Sequence, residues 1–237
     1  MSDSLDYIEA TIVGNNRVRI ERINSQCDWD ESVHAINWFD ARQLQLYNLY
    51  NFLASRSVVK VGGSPVFKGR LLSRHLGSDE DERQVLLLVN YPSPKQFKNM
   101  LTDNYFKLVG VLRTLAVKRF TFCLSHSIGR ENIPKKSAEM ETYGVHHFRG
   151  DKNTLELIRA ALTESSANIA FSSLKSHQLS TVSRDKDPVM VPVIMDGIVL
   201  FRCENETMLN DIVSTDQYQK SLQHSQSSYI GLYQRIL

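Results

Sequence analysis

The 237-residue sequence predicts an α+β fold: two tandem ferredoxin-like β-α-β-β-α-β units forming one intramolecular, pseudo-dimeric α/β barrel. Two observations predict it. An apolar strand, a capped helix and a closing strand follow one another once in each half of the chain. Upstream of each such block stands a strand, a helix and a further strand.

In the first half, Arg83 to Tyr91 (RQVLLLVNY) is a continuous apolar run, which suits a strand buried on both faces. Pro92 ends it. Ser93 can cap a helix through its hydroxyl, Pro94 falls at the first turn where its missing N–H costs nothing, and Gln96 completes a capping box. Phe97, Met100 and Leu101 share one helical face. Asp103-Asn104 breaks the helix, and Tyr105, Leu108, Val109 and Leu112 continue the stripe. Alternating Phe120, Phe122 and Leu124 mark the strand Arg119 to His126.

The second half repeats this grammar. Gly197 to Cys203 (GIVLFRC) is the apolar strand, and Asn205 stands where Ser93 stood. Leu209, Ile212 and Val213 match Phe97, Met100 and Leu101. Asp216-Gln217-Tyr218 is aligned with Asp103-Asn104-Tyr105 after a one-residue insertion, and Tyr229 to Leu237 closes the unit. Upstream, Val33 to Arg42 and Thr142 to Asp151 each read as a strand entering a helix. The helices are marked by Leu44, Leu46, Leu49, Tyr50 and Leu53 in one case, and by Leu155, Leu157, Ile158 and Leu162 in the other. Ser64 to Leu76 and Ala167 to Ser180 supply the remaining strands.

A four-stranded sheet with helices on one face leaves the other face bare, and a large apolar patch is not tolerated in a monomer. Packing the two sheets together removes it. The expected layout is an N-terminal β-hairpin extension over residues 1–27, a first unit over 28–127, a linker over 128–140 and a second, diverged unit over 141–237. Leu5 to Ile23, two alternating runs around Gly14-Asn15-Asn16, is the hairpin. Met190 to Asp196 is a further extended segment. The expected state is a pseudo-twofold monomer or a homodimer.

Net charge is +2 with acidic and basic residues interspersed, so no nucleic-acid footprint is expected. No window approaches roughly 18 consecutive apolar residues, and no cationic start precedes an apolar run. A cytoplasmic protein without membrane contact is therefore expected. Cys27, Cys123 and Cys203 have no metal-ligand spacing and read as reduced thiols.

The first unit resembles a family of bacterial domains of unknown function in the dimeric α/β-barrel superfamily. The residues that carry this are Ile36-Asn37-Trp38-Phe39, Val66-Phe67-Lys68-Gly69, and Val89-Asn90-Tyr91-Pro92-Ser93 with Phe97, Met100, Asp103 and Tyr105. The second unit lacks the Tyr-Pro-Ser element. The resemblance implies the fold and a range of functions: cofactor-free monooxygenases, haem-degrading monooxygenases, lactone isomerases and ligand sensors. Fold alone does not choose among them. Haem-degrading relatives use a helical histidine, and Pro94 to Leu112 contains none, so no cofactor is expected.

The first strand of each unit is the most informative place. Aligning Ala35–Phe39 with Gly144–Phe148 pairs Asn37 with His146 and Trp38 with His147. Side chains alternate along a strand, so each pair shares a face. Inside a barrel, Asn37 could hold an oxyanion and His146 could act as general base; the bland alternative is a hydrogen-bonded asparagine and a semi-exposed histidine. Trp38, His147, Asn90 and Arg202 are candidate substrate-binding residues, Arg202 being a cation that interrupts an apolar strand at the position of Asn90. Neighbouring His146 and His147 point to opposite faces, so no metal site is expected. The expected ligand is a small apolar metabolite; the alternative is a non-catalytic sensing or assembly module.

Overall fold

The computed structural model describes residues 7–13, 16–21, 30–129, 132–134, 141–182 and 195–236. Cys27, most of the predicted linker and residues 190–194 lie outside them. The elements are β1 (Tyr7–Val13), β2 (Asn16–Glu21), β3 (Val33–Ala41), α1 (Leu44–Lys60), β4 (Ser64–Leu76), β5 (Val85–Tyr91), α2 (Pro94–Thr102), α3 (Asn104–Ala116), β6 (Val117–Ser127), β7 (Thr142–Arg149), α4 (Lys152–Glu164), β8 (Ile169–Val182), β9 (Gly197–Arg202), α5 (Glu206–Val213), α6 (Asp216–Gln223) and β10 (Ser227–Arg235). After β1 and β2, the order β-α-β-β-α-β occurs twice, each second helix being split in two.

The hydrogen-bonded strand order is β1-β2-β8-β6-β3-β5-β4-β10-β7-β9, and β8 also pairs with β9. Eight strands therefore close on themselves in a mixed α+β fold. Strands β1 and β2 are antiparallel, Val13 opposite Asn16, and β2 pairs with the end of β8, Arg17 opposite Val182. The predicted hairpin strands are thus present and extend a sheet edge. Met195 and Asp196, the described end of the predicted extended segment, are not in a strand.

Two compact units divide the chain. The first comprises Met1–Pro65, Leu87–Ser125 and Ser176–Val193; the second comprises Val66–Leu86, His126–Lys175 and Ile194–Leu237. In the first unit, Phe39 meets Tyr47 of α1 with ring centroids 4.4 Å apart, and Phe97 of α2 stacks on Phe122 at 5.4 Å. These contacts fix the helix-bearing face of β3 and β6. In the second unit, Leu155, Ile158 and Leu162 of α4 and Leu209 and Ile212 of α5 pack on Val199, Phe201, Ile230 and Leu232. Gly144 and Gly197 lie under the rings of Phe201 and Phe148, where a Cβ would collide.

The helix starts follow the capping chemistry. Ser93 Oγ accepts from Gln96 N at 3.3 Å, and Asn205 Oδ1 accepts from Met208 N at 2.9 Å. Asp103 caps α3 through Phe106 N at 3.0 Å, and Thr215 caps α6 through Tyr218 N at 3.4 Å. Ser93 and Asn205, Phe97 and Leu209, Asp103 and Thr215, and Phe106 and Tyr218 all stand 112 positions apart. The one-residue insertion expected at Asp216 is not needed: the capping residue is Thr215, not Asp216. Replacing Asn205 by alanine orphans one helix-terminal N–H, and urea denaturation should show a loss of about 1 kcal/mol, with Asn205→Ser restoring most of it.

Candidate functional site

Cross-strand register assigns each predicted site residue to a face. In the first unit Asn37 stands opposite Phe122 and Trp38 opposite Thr121. Phe122 meets α2, so Asn37 faces the helices, and Trp38 lies on the helix-remote face. The Asn37 amide donates to Ala35 O at 3.1 Å and to Leu87 O at 3.3 Å, tying β3 to β5. Asn90 belongs to the helix-remote face with His34: its Nδ2 lies 2.6 Å from Ser32 Oγ and 3.3 Å from His34 Nε2. Two hydroxyls of β6 share that face. Thr121 Oγ1 and Ser125 Oγ are buried and make no hydrogen bond among the described residues.

In the second unit His146 stands opposite Val199 and Ile230, both in the core beneath the helices. It is fully buried. Tyr218 of α6 brings its hydroxyl to 2.9 Å from His146 Nδ1, and Ser228 Oγ lies 2.9 Å from Nε2. Ser225 Oγ lies 2.8 Å from Ser228 Oγ and donates to Leu222 O at 2.7 Å. Those distances fix the proton order. Ser225 spends its proton on Leu222, so Ser228 donates to Ser225. Ser228 has then no proton for His146, so Nε2–H donates to Ser228, and Nδ1 accepts from Tyr218. Every partner is satisfied with a neutral imidazole. Burial pushes the His146 pKa down to about 3. Tyr218, Ser225 and Ser228 are therefore part of this cluster, although sequence reading did not single them out for it. Their separation along the chain hides them.

His147 points the other way. It stands opposite Ile198 on β9 and Tyr229 on β10. Ser173 is also opposite Ile198, and Tyr143 is opposite Tyr233, so these side chains share the helix-remote face. The rings of His147 and Tyr229 are 6.2 Å apart, and Phe67 meets Tyr143 edge-on at 5.2 Å. Burial, with the positive charge of Arg83 and the nearby His146 adding to it, holds the His147 pKa well below its usual value. Burial also pushes the Tyr229 phenol up to about 12. The face thus holds a neutral imidazole beside a neutral phenol at ordinary pH. Ser173 Oγ is a further buried hydroxyl with no hydrogen bond among the described residues. The alternation Tyr229, Gly231, Tyr233 on the closing strand is the sequence signal that would have found this cluster.

The arginines are engaged elsewhere. Arg202 is half-exposed and lies 3.8 Å from Glu141, which also pairs with Arg235 at 3.1 Å. Arg74 pairs with Asp79, and the Arg113 guanidinium sits over the Phe120 ring at 4.5 Å. Cys123 is buried, Cys203 is a buried free thiol, and among the described residues no three His, Cys, Asp or Glu side chains converge.

No family model and no curated protein matches this chain. Solved structures do. An anthrone oxidase-like protein aligns with a TM-score of 0.50 at 8% identity, covering 88% of this chain and 92% of that one. A monooxygenase-like protein of Fusobacterium nucleatum aligns at 0.50 and 9% identity, covering 89% and 94%. The chlorite dismutase of Candidatus Nitrospira defluvii aligns at 0.47 and 13% identity, covering 87% and 91%. These likenesses agree with the mixed α+β fold and its eight closed strands. At these identities the likeness concerns fold alone.

The buried histidines make stability pH-dependent. Their folded pKa values lie below that of the unfolded chain, about 6.5, so acid protonates the unfolded state first. Stability should be full above pH 6.5 and fall below it by up to about 1.4 kcal/mol per pH unit for each histidine. Urea titrations between pH 7 and 5 check the slope, and His146→Gln should remove about half of it. In a double-mutant cycle, Tyr218→Phe should cost roughly 1–3 kcal/mol alone and much less in the His146→Phe background.

Proposed function

We infer that this protein binds a small apolar or aromatic metabolite on the helix-remote sheet face of its second unit. In this reading the chain is a tandem duplication, and the second copy carries the chemistry. The observation that supports it most is the polar character of that buried face: His147 and Tyr229 share it with Ser173, whose buried hydroxyl makes no hydrogen bond among the described residues. Buried hydroxyls nearly always find partners, and a bound carbonyl or phenol would supply one.

The reaction class that fits is cofactor-free proton abstraction next to a carbonyl. Neutral His147 accepts the proton, and the Tyr229 or Ser173 hydroxyl donates to the developing oxyanion. The resulting carbanion takes the proton back at another carbon, which is isomerisation, or adds O₂ and a proton to form a hydroperoxide that eliminates water and leaves a carbonyl, which is monooxygenation with the substrate supplying both electrons. His147 takes the role of base rather than His146, because Tyr218 and Ser228 occupy both His146 nitrogens. Asn37 is likewise committed to backbone carbonyls. Arg202 is held beside Glu141, and Trp38 and Asn90 belong to the first unit, so none of the three is assigned to this site.

The test is a panel of aromatic and apolar carbonyl compounds scanned by thermal shift. Binders are then incubated in D₂O and followed by NMR, with O₂ uptake recorded in parallel. We expect exchange of the α-proton, at least tenfold slower in His147→Gln, and binding weakened in Ser173→Ala. Binding without exchange or O₂ uptake would leave the sensing alternative, which the fully satisfied His146 cluster also fits. Absence of any binder, or exchange indifferent to His147, would sink the enzymatic reading.

A further inference from the structure

The helices of the first unit present an outer surface unlike those of the second. On α1, Leu49, Phe52 and Val59 are exposed at spacings that share one side of a helix, with Phe52 74% accessible and Val59 68%. On α3, Leu108, Val111 and Leu115 repeat this, with Leu108 72% accessible. The two helices are neighbours: Lys60 of α1 pairs with Asp103 before α3 at 2.7 Å, and the Arg56 guanidinium lies 5.7 Å from the Tyr105 ring. Among the described residues, α4, α5 and α6 expose no large apolar side chain. The fold therefore does not require the apolar surface on α1 and α3.

Charge separates the two helical layers as well. Helices α1, α2 and α3 contain Arg56, Lys60, Lys95, Lys98, Lys107 and Arg113 and no acidic residue. All but the buried Arg113 reach the surface. Helices α4, α5 and α6 contain Glu156, Glu164, Glu206, Asp211 and Asp216 against three cations. A twofold contact between two copies through α1 and α3 would set like charges against one another. A contact with the acidic helices of a second copy would match charge but leave the apolar side chains facing polar ones. A planar anionic lipid surface satisfies both at once: phosphates meet the lysines, and the leucines, valines and phenylalanine enter the boundary between headgroup and acyl chain.

We propose that α1 and α3 of the first unit form a peripheral docking surface for anionic bilayers. This departs from the expectation of no membrane contact, which rested on the lack of a spanning segment; among the described residues no helix is long and apolar enough to cross a membrane. The surface uses none of the residues assigned to metabolite binding, so the two readings stand or fall separately.

The test is co-sedimentation of the full chain with phosphatidylcholine vesicles, with and without phosphatidylglycerol. Binding is expected only with phosphatidylglycerol, and it should weaken as salt rises. Each surface cation contributes roughly a fivefold factor, so Lys95→Glu with Lys107→Glu should lower partitioning by roughly twentyfold or more. Phe52→Ser with Leu108→Ser should abolish it while circular dichroism and the melting temperature stay unchanged, both sites being exposed. Failure to pellet with anionic vesicles overturns the proposal, as does binding that ignores all four substitutions. Self-association lost in Phe52→Ser with Leu108→Ser, without vesicle binding, overturns it in favour of a second copy.

Discussion

The structure depends on one constraint: a long strand with an exposed edge invites unwanted pairing, so the longest strands need partners on both sides. Two strands answer it. Strand β4 runs for 13 residues and pairs with β10, and β8 runs for 14, its beginning paired with β9 and its end with β2. Both are longer than the strands between them. Their length is why the compact units do not coincide with the sequence halves: most of β4 is grouped with the second unit and the end of β8 with the first. Edge pairing, more than the local order of elements, sets how the chain divides.

The same sheet separates two kinds of histidine one residue apart. Strand pleating sends His146 under the helices and His147 to the opposite face. Under the helices, a polar ring is tolerable only if both nitrogens are satisfied, and Tyr218 and Ser228 satisfy them. The result is a rigid, neutral histidine with no free valence for chemistry. On the opposite face, burial likewise keeps His147 neutral, but its neighbours are phenols, hydroxyls and apolar rings. The difference in chemical capacity comes from the surroundings of the two rings.

Much of this was legible in the sequence. Caps at Ser93 and Asn205 and the apolar strands before them mark the repeated grammar because capping and strand burial are local rules. The pairing of Asn37 with His146 and Trp38 with His147 onto common faces is also local, since it needs only the strand period. What was not legible is long-range. Which face carries the helices is decided by contacts such as Phe97 with Phe122, and the Tyr218 hydroxyl reaches His146 across 72 positions. Asp216 was aligned with Asp103 as the matching aspartate; the structure caps α6 with Thr215, one residue earlier, which keeps the spacing uniform.

The buried hydroxyls bear on what the helix-remote face is for. A threonine at 121 could be valine, and serines at 125 and 173 could be alanine, with little change in volume and no buried unpaired oxygen. Each hydroxyl left without a partner costs about 1–3 kcal/mol of desolvation. A sheet serving only to fill space would be more stable without them. Packing therefore does not account for their presence. The three sit on strands β6 and β8, and on β8 the hydroxyl shares its face with His147. On the proposed reading, binding offsets the desolvation that folding alone leaves uncompensated, and the same positions that weaken the empty fold give the occupied one its selectivity.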